Sequence, residues 1–249
     1  MDYLTCTFLN RQTKNKIKDL IPVGAITSMT RLVLTNAIYF KGTWIMEFDK
    51  TKTRQENFTT SQGETVKADM MSLTGDDVKF NYAEDGYVQI LELPYKGEEV
   101  SMLILLPEEG DMGTLEYSLD NEQLQEWKNM LEETEVEVYL PKFEFDTKYF
   151  MKEDLSYMGM PTAFSEEADF SGMTGEKDLF ISKVIHQAYV KVDEEGTEAA
   201  AATAVIMKNE SIAAPMKKVF RADRPFIFII QKKNTGNILF MGRVSDPTR

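Results

Sequence analysis

The sequence predicts an α+β fold, dominated by strands and organised as one domain over residues 1–249. Three observations lead there. At 43% hydrophobic and 28% charged residues, the chain has the balance of a globular domain with a core to bury. Short apolar runs with period-two alternation recur along most of its length, bounded by Gly, Pro, Asp or Asn. Helical spacing is confined to short stretches between those runs, with neither a repeat period nor a linker-like segment.

Residues 14–21 (Lys-Asn-Lys-Ile-Lys-Asp-Leu-Ile) suggest a short helix stopped by Pro22 and Gly24. Residues 32–40 are apolar on both faces, the pattern of a central strand covered on two sides, closed by Lys41-Gly42 with Trp44 after it. Strands over 78–82, 87–93 and 100–106 are separated by Asp85-Gly86 and by Lys96-Gly97, the latter a hairpin turn. Beyond a turn at 107–111, Leu115 and Leu119 stand four apart on a helix. Asp120 with Gln123 makes a capping box for a second helix carrying Leu124, Trp127 and Leu131 on one face. Val136, Val138 and Leu140 alternate, as do Phe143 and Phe145, and a short helix follows over 149–158. Residues 179–192 alternate again around His186, and 226–231 with 238–244 form a closing hairpin across Asn234-Thr-Gly-Asn237.

The composition excludes several classes of function. Acidic residues number 41 against 28 basic ones, for a net charge of -13, so no basic field exists to hold nucleic acid or anionic lipid. The longest apolar runs, such as 225–230, are far too short for a membrane span. Cys6 is the single cysteine and cannot form an intrachain disulfide, which fits a reducing compartment and equally a secreted protein without disulfides. Residues 1–10 have neither the basic start nor the apolar stretch of a signal peptide. With one histidine, no HExxH and no CxxC, no metal site and no cofactor is expected. A Ser-His-Asp triad would have to run through His186, and the GxSxG elbow is absent. An enzyme would have to draw its chemistry from carboxylates, lysines or hydroxyls, and among 41 acidic residues a chance pair of carboxylates carries little signal.

One segment departs from the behaviour of an ordinary surface. Residues 194–207 (Glu-Glu-Gly-Thr-Glu-Ala-Ala-Ala-Ala-Thr-Ala-Val-Ile-Met) follow a strand directly and carry no charge from Ala199 to Met207. The alanines favour a helix. Gly196-Thr197 at its start and Val205-Ile206 near its end favour an extended chain. At period two, Thr197, Ala199, Ala201, Thr203 and Val205 share one side, and all are small enough to slide between two strands already in place. An uncovered β-prone loop is normally avoided unless it has a use.

At these residues the chain resembles the serpins. Glu194, Glu195, Gly196, Thr197, Glu198, Ala199, Ala200, Ala201, Ala202 and Thr203 are similar, residue by residue, to the hinge of the reactive-centre loop in inhibitory serpins. Residues 220–230 (Phe-Arg-Ala-Asp-Arg-Pro-Phe-Ile-Phe-Ile-Ile) resemble the family signature after that loop, and 239–244 (Leu-Phe-Met-Gly-Arg-Val) its closing strand. Residues 35–44 (Thr-Asn-Ala-Ile-Tyr-Phe-Lys-Gly-Thr-Trp) are similar to the third strand of the central sheet, and 139–142 (Tyr-Leu-Pro-Lys) to the start of its sixth. The resemblance covers the C-terminal two thirds of that fold. It implies a serpin-like mixed multi-sheet fold with a mobile reactive-centre loop at about 194–218, lacking the N-terminal helices and first strands that precede these segments in the family. Residues 1–249 by themselves are then expected to be non-inhibitory and prone to aggregate.

The resemblance also implies a mechanism and its residues. A serine protease attacks the loop as a substrate and forms an acyl-enzyme, and the cut loop inserts between the strand around Asn36 and the strand around His186. Serpins are a known instance of such strand addition, driven by a metastable uncut fold. About 12 residues at about 3.3 Å each carry the tethered protease some 40 Å. Trp44, Lys142 and Glu194 match the breach where insertion begins, with a Lys142–Glu194 ion pair, and Asn36 with His186 matches the shutter. On residue type alone Trp44 reads as core packing, Lys142 and Glu194 as solvated charges, and His186 as a satisfied core histidine. In the family the cleaved bond follows the residue fourteen positions beyond the hinge glycine, which is Glu210-Ser211 here. The implied partner is a serine protease, Glu-preferring or elastase- or subtilisin-like, met by an extracellular protein that is a monomer in the intact family fold. Asn57-Phe-Thr and Asn209-Glu-Ser are glycosylation sequons. A non-inhibitory serpin acting as a binding or chaperone module and a non-functional fragment stay open as alternatives.

Overall fold

The computed structural model describes residues 13–76, 78–108, 111–197 and 217–249. In chain order the strands are β1 (Leu32–Tyr39), β2 (Gly42–Thr43), β3 (Arg54–Thr59), β4 (Thr65–Leu73), β5 (Lys79–Glu84), β6 (Val88–Pro94) and β7 (Val100–Pro107). They continue as β8 (Glu132–Pro141), β9 (Phe143–Phe150), β10 (Ile181–Val192), β11 (Gly196–Thr197), β12 (Lys218–Arg221), β13 (Phe226–Lys232) and β14 (Ile238–Val244). The helices are α1 (Met112–Ser118), α2 (Asn121–Asn129), α3 (Lys152–Tyr157) and α4 (Ser171–Thr174). This is the α+β, multi-sheet class. The chain divides into two compact units, Met1–Phe40 with Phe145–Val190 and Lys41–Glu144 with Lys191–Arg249.

The first unit is built on a three-stranded sheet of order β1-β10-β9. β1 and β10 run parallel, with Asn36 opposite His186 and Tyr39 opposite Tyr189. Ile17 and Leu20 are buried on one face against Ile185 and Tyr189, and Val33, Ala37 and Tyr39 pack around them. The chain there is not the helix expected over 14–21. Lys14, Asn15 and Asp19 all have positive φ, which a right-handed helix cannot carry, and the segment turns to bring its two apolar side chains down together. β1 is likewise not covered on both sides within this unit: none of its residues is buried, and Leu34 and Asn36 are exposed on the face away from Ile17. The helix expected over 149–158 shortens to α3, because β9 stays extended through Phe150.

The second unit holds the large sheet, nine strands in the order β14-β13-β7-β6-β5-β8-β4-β3 with β12 on β8. β6, β7 and β13 are apolar on both faces, and Met102 through Leu106 are fully buried. α1 and α2 lay Met112, Leu115, Leu124 and Trp127 over Val88, Ile90, Leu103 and Ile229, each large side chain contributing about 1.5–3 kcal/mol. Asp120 Oδ1 caps α2 by accepting from Gln123 N at 2.8 Å. Trp127 Nε1 donates to Asp85 Oδ2, while Asp85 Oδ1 accepts from the Tyr87 and Val88 amides, so the Asp85-Gly86 turn and α2 anchor each other. The hairpins at Lys96-Gly97 and Asn234–Asn237 close as expected, β6 on β7 and β13 on β14, both antiparallel. The β3–β4 hairpin and β12 are additions to the sequence reading. Their outward positions are polar enough to hide the alternation, and β12, paired parallel with β8, has one buried side chain, Phe220.

Candidate functional site

Of the residues expected to form the hinge, Glu194 to Thr197 are described and lie in the second unit, where the chain leaves β10 and turns at Asp193–Gly196. Its backbone is sewn to the segment after β2. Trp44 N donates to Glu195 O at 3.0 Å, and Phe48 N donates to Glu194 O at 2.8 Å. Gly196 and Thr197 then pair antiparallel with Thr43 and Gly42 as β11 on β2. The approach is so close that only glycine fits. Gly196 sits at φ +140°, and a Cβ there would meet Gly42 O at 2.1 Å. Thr197 is fully buried, its hydroxyl 2.8 Å from the hydroxyl of Tyr95. Burial pushes the Tyr95 phenol above its ordinary pKa, so it stays neutral in this bond.

Around this rung the sequence-expected breach residues come together. Trp44 is buried, stacks on Tyr95 with ring centroids 4.4 Å apart, and donates its Nε1 to Asp193 O at 3.1 Å. Lys142 Nζ lies 3.0 Å from Glu194 Oε2, and Thr53 Oγ1 donates to Glu194 Oε1 at 2.8 Å. Burial works to raise the Glu194 carboxyl. The hydrogen bonds from backbone, Thr53 and Lys142 outweigh it and hold the group below the usual carboxylate range. The next residue, Glu195, is ion-paired with Lys50. Glu194 is therefore not a solvated charge, its side chain being 6% exposed, while Lys142 is partly exposed and paired with it.

In the first unit, His186 Nδ1 and Asn36 Oδ1 are 2.9 Å apart across the β1–β10 pair. With the amide oxygen facing the ring, Nδ1–H is the donor. Tyr149 stacks beside the imidazole at 6.1 Å. His186 is half-buried, so it is not a fully buried core histidine. Asn57 is exposed on β3. Glu198, Ala199, Ala200, Ala201, Ala202, Thr203, Asn209, Glu210 and Ser211 lie outside the described residues.

Lys50, Thr53 and Tyr95 contact Glu195, Glu194 and Thr197, and the sequence does not single them out. Tyr95 sits against the Lys96-Gly97 turn and Lys50 in a short 3-10 turn at Lys50–Lys52, neither bearing a pattern that points 100 or more residues along the chain to Glu195 and Thr197. Among the described residues, no group of three or more His, Cys, Asp or Glu could hold a metal ion, and no helix is long and apolar enough to cross a membrane.

Comparison with known proteins gives a consistent result. A model of the serpin (serine protease inhibitor) family matches residues 7–247. A serpin-like protein of Methanosarcina acetivorans, itself uncharacterized, is 46% identical over 242 residues, covering 96% of this chain and 56% of the relative. The leukocyte elastase inhibitor of Bos taurus is 43% identical over 247 residues, covering 96% of this chain and 65% of the relative. Human thyroxine-binding globulin, in a crystal structure with its ligand, is 31% identical with a TM-score of 0.88, over 99% of this chain and 64% of that one. The chain thus spans a little over half to about two thirds of the length of the proteins it matches.

Proposed function

The chain belongs to the serpin family, and from that premise we propose that the protein is a serine protease inhibitor of the suicide-substrate kind, one serpin-like domain rather than a catalyst. The observation that carries this reading is the rung at Gly196–Thr197, already paired antiparallel with β2 and buried at Thr197. In this reading a loop leaving from that rung becomes an added strand by continuing the pairing once β1 and β10, which are paired with each other, part. Residues from about 194 to 218 then form the reactive-centre loop, Glu194 through Thr203 are its hinge, and Thr197 is the first position to enter. Trp44, Lys142 and Glu194 govern where entry starts, and Asn36 with His186 form the contact that must part to let the loop through. Glu210-Ser211 is the bond presented to a Glu-preferring, elastase-like or subtilisin-like protease. The similarity to a leukocyte elastase inhibitor supports the middle choice.

The test takes the native protein in which these residues occur and incubates it with an elastase-like and a Glu-specific serine protease. An SDS-stable complex is expected with one of them. Thr197→Arg, which forces a charged side chain into a fully buried position, is expected to abolish the complex and leave a cleaved substrate. An undiminished complex in the variant would sink the insertion mechanism. A binding-module reading is favoured by the thyroxine-bound neighbour; its mark is a loop that is cut with no complex formed by the wild type.

A further inference from the structure

Glu195 is buried in an unusual way. Its side chain is 8% exposed, one oxygen is ion-paired with Lys50, and the other, Oε2, is buried with no hydrogen-bond partner. Lys142, the other lysine at the hinge, is engaged with Glu194. Lys50 is itself 59% exposed and comes from a separate element, the 3-10 turn at Lys50–Lys52, which Asp49 caps by accepting from Thr51 N at 2.8 Å. The Glu195 hydrogen bond, with Glu194 and Asp193 adding to the field, holds the Lys50 ammonium above the usual lysine pKa. Three acids in a row, Asp193, Glu194 and Glu195, therefore face two lysines from different parts of the chain.

A surface ion pair by itself stabilises very little. The situation at Glu195 differs, because removing the cation leaves a buried carboxylate with neither countercharge nor full hydrogen bonding. Swinging out to water would relieve it and would tug on its own backbone, whose carbonyl accepts from Trp44 N and whose successor begins β11. We propose that Lys50 is a positioning residue of the hinge: by neutralising Glu195 it keeps the Gly196–Thr197 rung docked on β2. Its consequence for inhibition rests on the insertion reading given above, since a docked first rung is where further pairing would start. The pair is a second anchor beside Lys142–Glu194.

The amide of Trp44 reports on this directly, because its acceptor is the Glu195 carbonyl. Residue-resolved hydrogen exchange on the native protein is expected to show that amide exchanging about tenfold faster in Lys50→Ala. Lys50→Arg should stay near wild type. The double variant Lys50→Ala/Glu195→Gln should return to within about threefold of wild type, because a carboxamide needs no countercharge. Amides of β7 should keep their protection throughout, separating hinge release from unfolding. The proposal is overturned if Lys50→Ala leaves Trp44 within about twofold of wild type, if the double variant is as fast as the single one, or if the β7 amides accelerate equally. No protease enters this measurement. Absence of an SDS-stable complex counts against the inhibitory reading alone, while the exchange rates decide on Lys50.

Discussion

Replacing Gly196 by alanine adds one methyl group at the closest backbone approach of the hinge. The new Cβ would lie 2.1 Å from Gly42 O, 2.8 Å from Thr43 Cα and 2.9 Å from Trp44 N. All three are backbone atoms, so no rotamer change relieves the overlap, and β2 would have to retreat by about 1 Å to restore ordinary contact. Retreat breaks the Gly196–Thr43 and Thr197–Gly42 pairing and the Thr197–Tyr95 hydroxyl bond. The alternative, a change of φ at residue 196 away from +140°, breaks the same contacts. Holding an alanine in that region costs about 1–3 kcal/mol before any overlap is counted. Together the docked rung should lose on the order of 3 kcal/mol, more than a hundredfold in its equilibrium against an undocked hinge. The assay pairs hydrogen exchange at the Trp44 amide with the yield of SDS-stable protease complex. Exchange should accelerate at Trp44 and not in β7, and cleaved substrate should replace complex. A Gly196→Ala protein with wild-type Trp44 protection and full complex yield would refute the close packing of this rung and the role drawn from it.

Two further outcomes are expected. Glu194 is held below the ordinary carboxylate range, so its contribution is fully present above about pH 4.5 and is lost as pH falls through its lower folded value. Exchange at the Phe48 amide, corrected for its intrinsic pH dependence, should be flat from about pH 7 to 5 and rise below about pH 4. Glu194→Gln should remove that rise, and an unchanged profile would dissociate Glu194 from hinge docking. A trapping protease should cut between Glu210 and Ser211, so mass spectrometry of the released C-terminal piece should find Ser211 at its start. A piece beginning at Lys208 or Ile212 would shift the reactive bond.

Local chemistry made much of the second unit legible. Asp120 three residues before Gln123, Asp85-Gly86 between two apolar runs, and Asn234-Thr-Gly-Asn237 each state a turn or a cap in residues adjacent in sequence, and each forms. The 14–21 segment failed for the opposite reason. Its lysines have good helix propensity, but two apolar residues three apart were worth more as a lid on Ile185 and Tyr189 than as one short helical face. The site was legible only through the family resemblance. Lys142 and Glu194 are 52 residues apart and Trp44 is 149 from Asp193, and no periodicity links positions that meet because strands are neighbours in space. Lys50 and Tyr95 escaped even the resemblance, since nothing in their local sequence sets them apart from an exposed turn lysine and a strand-end aromatic.

A run of acidic residues in a chain of net charge -13 is ordinarily a solvated face. At Asp193-Glu194-Glu195 that expectation breaks, and the reason explains the hinge. The small residues that follow, Gly196 and Thr197, let the backbone press onto Gly42 and Thr43 so closely that a Cβ at residue 196 would meet Gly42 O at 2.1 Å. The two glutamates immediately before are drawn under with it. Once buried, like charges on consecutive residues would push the strand back out unless each met its own partner. Glu194 meets Lys142 and Thr53, Glu195 meets Lys50, and Asp193 accepts from the Glu195 amide. The Gly196–Thr197 rung is thus held by a balance: backbone pairing that favours docking on β2, set against buried charge that disfavours it unless its lysine partners stay in place. Such a balance can be shifted by single substitutions at exposed positions such as Lys50, which a purely apolar hinge would not permit.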